Sequence, residues 1–267
     1  MSALTEHVRA RLDDQVRALT RHAAGIQADN DPEHVHQLRV AVRRARAVLR
    51  AVRSHKHLRA ELKWLGAVCG DVRDDDVLLA RLRASAAGFT DDERAAVERL
   101  LSGMEKQRRG ARRHMLAALR SARFRSLLAS LEEAAREAEP DAGPVLKRPR
   151  RRFTKAVAGL GDDPADEELH RLRIRGKRLR YAAELHGKKA KPVVKAAKRL
   201  QDILGDHQDA VVAEERVRAL LDAMDDVPLD VALVAGRLIE REHARKSACR
   251  ARWRAAAAKV GAKASAL

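Results

Sequence analysis

One segment of this chain occurs twice, and that repetition limits the folds open to it. His36, Leu38, Arg39, Val40, Arg43, Arg44 and Arg46 are matched by His170, Leu172, Arg173, Ile174, Lys177, Arg178 and Arg180 at an offset of 134. Upstream, Arg17 and Arg21 match Arg151 and Lys155 at the same offset. Downstream, LKWLGAVCGDVRDDDV (Leu62 to Val77) matches AKRLQDILGDHQDAVV (Ala197 to Val212) at 135. Three elements in one order imply two related bundles, 1–143 and 144–267. A repeat this long signals internal two-fold pseudosymmetry, because a solenoid would show several shorter units.

The repeated elements read as helices. The seven prolines stand at Pro32, Pro140, Pro144, Pro149, Pro164, Pro192 and Pro228, and the stretches between them are rich in Ala, Leu, Arg and Glu, which are strong helix formers. No period-2 strand pattern and no Asn-Gly or Asp-Gly hairpin signal occurs, so an all-α fold is expected. Helix starts are legible. Asp31-Pro32-Glu33 offers an Asp cap, a first-turn Pro and a first-turn acid, and Asp163-Pro164 repeats the device. Thr90-Asp91-Asp92-Glu93 reads as a capping box. Glu137 to Pro144 reads as the linker.

Charge narrows the function. Lys+Arg is 56 and Asp+Glu is 38, a formal net charge of +18. Self-repulsion on that scale is relieved by a polyanionic partner. Cys69 and Cys249 stand in no CxxC spacing, which argues against a disulfide scaffold or a cysteine-rich metal site and fits a reducing cytoplasm. No apolar signal-peptide core is visible, and no stretch approaches the ~18 apolar residues of a membrane span. A cytoplasmic protein without a membrane partner is expected.

The cations are ordered on the helices. At ~100° per residue, His36, Arg39, Arg43, Arg46, Arg50 and Arg53 share an arc of about 100°. Leu38, Val42, Ala45, Leu49 and Val52 oppose them. In the second copy His170, Arg173, Lys177 and Arg180 form the stripe, opposed by Leu172, Gly176, Leu179 and Ala183. Each helix thus predicts an apolar face for its own bundle and a cationic face for something else. No i,i+4 acid accompanies the stripes before Glu184, whereas a solvated face usually mixes signs. His36 to Arg50 covers about 21 Å at 1.5 Å per residue, a track for an extended anion. Arginine grips phosphate oxygens bidentately and lysine acts as a point charge. The six aromatics, Trp64, Phe89, Phe124, Phe153, Tyr181 and Trp253, do not interleave with the first stripe, and only Tyr181 touches the second. Stacking platforms for bases are therefore missing, as are zinc-finger spacing, an RNP sequence and a basic zipper. The track suits phosphate without bases.

HQLRVAVRRAR and HRLRIRGKRLRY, followed by LGAVCGDVRDDDV and LQDILGDHQDAVV, resemble the two halves of a CHAD domain, the conserved histidine α-helical domain, over about Val8 to Trp253. The resemblance implies two pseudosymmetric helical bundles around a central basic groove or pore. It implies non-catalytic binding of inorganic polyphosphate and recruitment to polyphosphate granules. It carries basic positions over onto His36, Arg39, Arg43, Arg44, Arg46, His170, Arg173, Lys177, Arg178 and Arg180, with Arg17, Arg21, Arg151, Lys155, Lys63 and Lys198 as flanking pairs. Ala45 and Ala47 depart from Leu179 and Tyr181 of the second copy. No ExExK triphosphate-tunnel signature occurs, so no triphosphatase activity is carried over.

Other chemistries leave weaker traces. Asp71, Asp74, Asp75 and Asp76, with Asp206 and Asp209, could hold Mg²⁺ in a polyphosphate or phosphoanhydride hydrolase. The simpler reading is helix capping after Gly70 and Gly205, together with ion pairs that orient nearby arginines. His36 and His170 suit hydrogen bonding to phosphate or packing at the stripe's end. The pairs His34/His36 and His55/His57 do not face each other on helices. No GxxxxGK[ST] loop and no nucleophilic triad is present. The expectation is a binding module without catalytic residues, metal or cofactor, with nucleic acid a weak, non-specific competitor. A basic helical nucleic-acid binder is the other alternative.

Overall fold

The computed structural model describes residues 3–29, 31–50, 55–137 and 146–267. Arg53, Val52 and residues 138–144 of the expected linker lie outside them. The described residues contain no strand. They form α1 (Ala3–Ala28), α2 (Pro32–Val48), α3 (Lys56–Ser85), α4 (Asp91–Arg120), α5 (Ala122–Glu137), α6 (Lys147–Ala158), α7 (Asp166–Leu185), a 3-10 turn (Lys188–Ala190), α8 (Lys191–Asp222), α9 (Leu229–Arg250) and α10 (Trp253–Ser265). The fold is all-α, as the periodicity predicts.

Local signals set the starts. Asp31 caps α2 by accepting from Glu33 N at 2.8 Å, with Pro32 in the first turn. Thr90 and Glu93 close a reciprocal capping box on α4, at 2.9 and 3.3 Å. The third expected start is displaced. α7 begins at Asp166, and Glu168 reaches back to Ala165 N at 2.9 Å. Asp163 instead accepts from Arg250 Nη1 at 2.7 Å, and Pro164 O accepts from the same guanidinium at 2.8 Å. A tertiary ion pair has taken the residue that sequence assigned to a cap. Between α7 and the 3-10 turn, Gly187 has φ +83°, a conformation open chiefly to glycine.

Two compact units emerge: Met1–Asp76 with Lys106–Val145, and Val77–Glu105 with Leu146–Leu267. The sequence division at 143/144 differs from this, because the end of α3 and the first half of α4 belong with the second unit. Apolar side chains account for it. Leu78, Leu82, Val97, Leu101 and Met104 pack in one buried cluster with Ala213, Val217, Val231, Val234 and Leu238.

In the first unit α1 packs on α2 and α5. Val8, Leu12, Leu19, Ala23 and Ile26 of α1 are buried, spaced as one helix face requires. In the second unit α7 packs on α6 and α8, and α8 also on α9 and α10. Phe153 and Trp253 are fully buried there. Each repeated helix therefore has its apolar side committed within its own unit, which leaves its cationic side outward from that core. No described helix is long and apolar enough to cross a membrane.

Candidate functional site: two cationic helix faces

The faces follow from helix periodicity and burial. On α2, Leu38, Val42 and Ala45, with Leu49 just past its end, are buried, while His36, Arg39, Arg43 and Arg46 are half-buried and Arg50 is exposed. On α7, Leu172, Leu179 and Ala183 are buried. His170, Arg173, Lys177 and Arg180 are half-buried on another side.

The first arginine of each motif lies against the matched glycine. Arg39 Nη1 donates to Gly70 O at 2.9 Å and to Asp74 Oδ1 at 2.8 Å. A Cβ on Gly70 would lie 3.5 Å from that nitrogen, an ordinary contact, so the guanidinium packs directly against α3 at this position. In the second unit Gly205 faces Arg173, with Nε 3.8 Å and Nη2 3.9 Å from where a Cβ would be. Asp209, the counterpart of Asp74, has its carboxyl pushed up by burial and pulled back by the charges of Arg173 and Arg81.

The histidines are supported by the neighbouring pair of matched positions. Burial lowers the pKa of His36, and Arg73 on α3 adds to the shift. Gln208, which matches Arg73 at offset 135, lies 2.6 Å from His170 Nδ1 through its Oε1. This contact fixes the orientation of the His170 ring through Nδ1.

Several guanidinium nitrogens on these faces lack partners. The Nε atoms of Arg46, Arg173 and Arg180 are buried with no hydrogen-bond partner among the described residues. Arg180 also lies 3.7 Å from Glu184 and over the Tyr181 ring. Buried donors are ordinarily satisfied, so these cationic faces carry uncompensated donors.

The aspartates serve the arginines. Gly70 and Gly205 lie in the interiors of α3 and α8, which corrects the expectation of helix capping after them. The expectation of arginine-orienting ion pairs fits: Asp74 pairs with Arg39, Asp76 with Arg108, and Asp206 with Arg81 at 2.9 Å. Among the described residues no group of three or more His, Cys, Asp or Glu is arranged to hold a metal. Cys69 and Cys249 are buried and unpaired, and burial pushes their thiols up to about 12 and about 11.

The flanking candidates are less concentrated. Arg17 is exposed and paired with Asp14 at 2.7 Å. Arg21, Arg151, Lys155, Lys63 and Lys198 are exposed on α1, α6, α3 and α8. Arg44 and Arg178 are exposed and project roughly 120° from their stripes, so helix geometry separates them from the faces. Sequence reasoning missed Arg73 and Gln208, although the repeat at offset 135 contained both.

The CHAD domain family matches this chain over residues 10–218. Two uncharacterized proteins from strains of Mycobacterium tuberculosis are 33% identical over 231 residues, covering 79% of this chain and 44% of their own length. The chain thus spans less than half of those relatives. The crystal structure of the CHAD domain from the plant Ricinus communis superposes with a TM-score of 0.76 at 28% identity, covering 96% of this chain and 92% of that one. PptA from Streptomyces chartreusis shares the fold, with a TM-score of 0.78 at 20% identity over 94% and 98% of the two chains. On the extent of that match, and on its doubled histidine–arginine helices, this chain belongs to the CHAD domain family.

Proposed function

We propose that this protein binds inorganic polyphosphate without hydrolysing it, through the cationic faces of α2 and α7. The observation that carries the reading is the set of buried, unsatisfied Nε atoms on Arg46, Arg173 and Arg180. The arginines and lysine of these faces have no acid at i,i+4 except Glu184 beside Arg180. A linear phosphate chain offers acceptor oxygens at short regular intervals and needs no stacking partner. Binding residues on this reading are His36, Arg39, Arg43, Arg46 and Arg50 on the first face, and His170, Arg173, Lys177 and Arg180 on the second. Residence at polyphosphate granules in the cytoplasm follows as part of the same proposal.

A non-catalytic role is supported by the aspartates. Asp74, Asp76 and Asp206 each hold an arginine, and a metal would have to displace those charges. The test pairs two assays on the intact chain. Long-chain polyphosphate should bind tightly and survive incubation with Mg²⁺ without release of orthophosphate. Duplex DNA should compete poorly at near-physiological salt. Steady phosphate release would replace the reading with a hydrolase, and efficient displacement by DNA would favour the nucleic-acid alternative.

A further inference from the structure

The second unit carries an arginine cluster that its cationic face does not use. Between α6 and α7 lies an open cleft of ≈ 410 Å³ lined by Arg152, Arg171, Ile174, Arg175 and Arg178. At ~100° per residue, its α7 residues centre roughly 130° from the His170–Arg180 stripe. The two surfaces are distinct.

The cleft is electrostatically unfinished. Among the described residues Arg152, Arg175 and Arg178 have no ion-pair or hydrogen-bond partner. Arg171 has only Glu167 and Glu168, each at 3.7 Å on its own helix. Like charges at i,i+4 and i,i+3 repel, so four guanidinium groups around one concavity oppose folding until an anion enters. The arrangement is also specific to this half. The matched positions at offset 134 are Ala18, Gln37, Val40, Ala41 and Arg44, so three of the four arginines have no counterpart and the cleft is not a by-product of the repeat.

The lining selects the ligand class. Guanidinium forks grip phosphate oxygens bidentately, and a concave cationic wall concentrates the field on a compact anion. Arg171 to Arg178 covers only about 10 Å along the helix, half the length of the stripe track. Ile174 supplies an apolar wall, and no aromatic ring lines the cleft to stack a base. We propose that the α6–α7 cleft is a separate site for a short condensed phosphate, either a free oligophosphate or the end of a long chain. This proposal does not depend on the cationic faces binding polyphosphate.

Calorimetric titration of the intact protein with inorganic tripolyphosphate tests it. The doubly substituted R152Q/R175Q protein should take up one equivalent fewer than wild type, or bind it about a hundredfold more weakly, the loss of roughly two charge-assisted contacts. R39Q/R46Q should keep that equivalent. Circular dichroism should show native helicity for both variants. Long-chain polyphosphate with free ends, compared with the same chain blocked at both ends as phosphoramidates, separates the sources. Weakened binding of the free-ended chain alone in R152Q/R175Q identifies the chain end as ligand, and no change with either chain identifies the free oligophosphate. Unchanged tripolyphosphate uptake in R152Q/R175Q overturns the proposal. Equal weakening of both long chains also overturns it, since the cleft would then belong to the long track. Failure of the faces instead shows as normal long-chain binding in R39Q/R46Q, so the two ideas fail separately.

Discussion

Arg46→Met separates a binding arginine from a structural one, because the two roles predict opposite signs for stability. Arg46 Nε is buried without a partner. An unsatisfied buried donor costs roughly 1–3 kcal/mol, and the lower figure applies here because the residue is only half-buried. Arg43 and Arg50 stand at i−3 and i+4 of the same face, and each like-charge pair adds ~0.2–0.5 kcal/mol of repulsion. Methionine matches arginine in helix propensity and stem length, so packing is retained. The free protein should therefore gain about 1–2 kcal/mol, or roughly 2–6 °C in Tm for a chain of this size. Polyphosphate affinity should fall by about 1.5–3 kcal/mol, the net worth of a hydrogen bond to a charged group, which is ~10- to 100-fold in Kd. Differential scanning fluorimetry with and without long-chain polyphosphate reads both effects. A lower Tm with unchanged affinity would refute the reasoning and make Arg46 a structural residue.

Further outcomes follow from the same geometry. Log affinity for polyphosphate should fall linearly with log salt, and Arg46→Met should shallow the slope by about 0.7; a flat wild-type plot contradicts a phosphate track. His22, His36 and His207 all have pKa values lowered by burial first, so the neutral forms stabilise the fold above pH 6.5. That stability is lost as pH drops through their folded values. The melting temperature should fall between pH 7 and 5, less steeply in His207→Gln, and a rise would contradict it. A bound polyanion should raise the pKa of His36, so affinity should strengthen below pH 6.5 in wild type and less in His36→Gln, as read by titration at several pH values. Gly187→Ala should cost roughly 1–3 kcal/mol, because φ +83° strains any side chain; an unchanged denaturation midpoint contradicts that.

What the sequence made legible depended on how local each signal was. Helix class, the opposed faces of α2 and α7, and two of three expected helix starts are set by i,i+3/i+4 spacing and capping, which are read within one turn. The start at Asp163-Pro164 was displaced because Arg250 is 87 residues away from Asp163. The division into units was obscured for a similar reason. Leu78, Leu82 and Leu101 look like ordinary helix-face residues, and only packing shows that they join Val217 and Leu238. The glycine–aspartate repeat was visible but misassigned, since capping is the local explanation and the seat for Arg39 lies 31 residues away at Gly70. The unsatisfied Nε atoms have no sequence signature at all.

The affinity of the intact protein for long-chain polyphosphate at about 0.15 M salt, where exposed charges are well screened, tests the central claim most directly. It should be compared between wild type and the quadruple variant R39Q/R43Q/R173Q/K177Q. Removing four phosphate contacts of ~1.5 kcal/mol or more each should weaken binding by at least about a hundredfold even with strong non-additivity. Wild type should bind tightly and the variant should show that loss, with helicity retained. Equal binding by the two proteins would contradict it and move the ligand off the α2 and α7 faces.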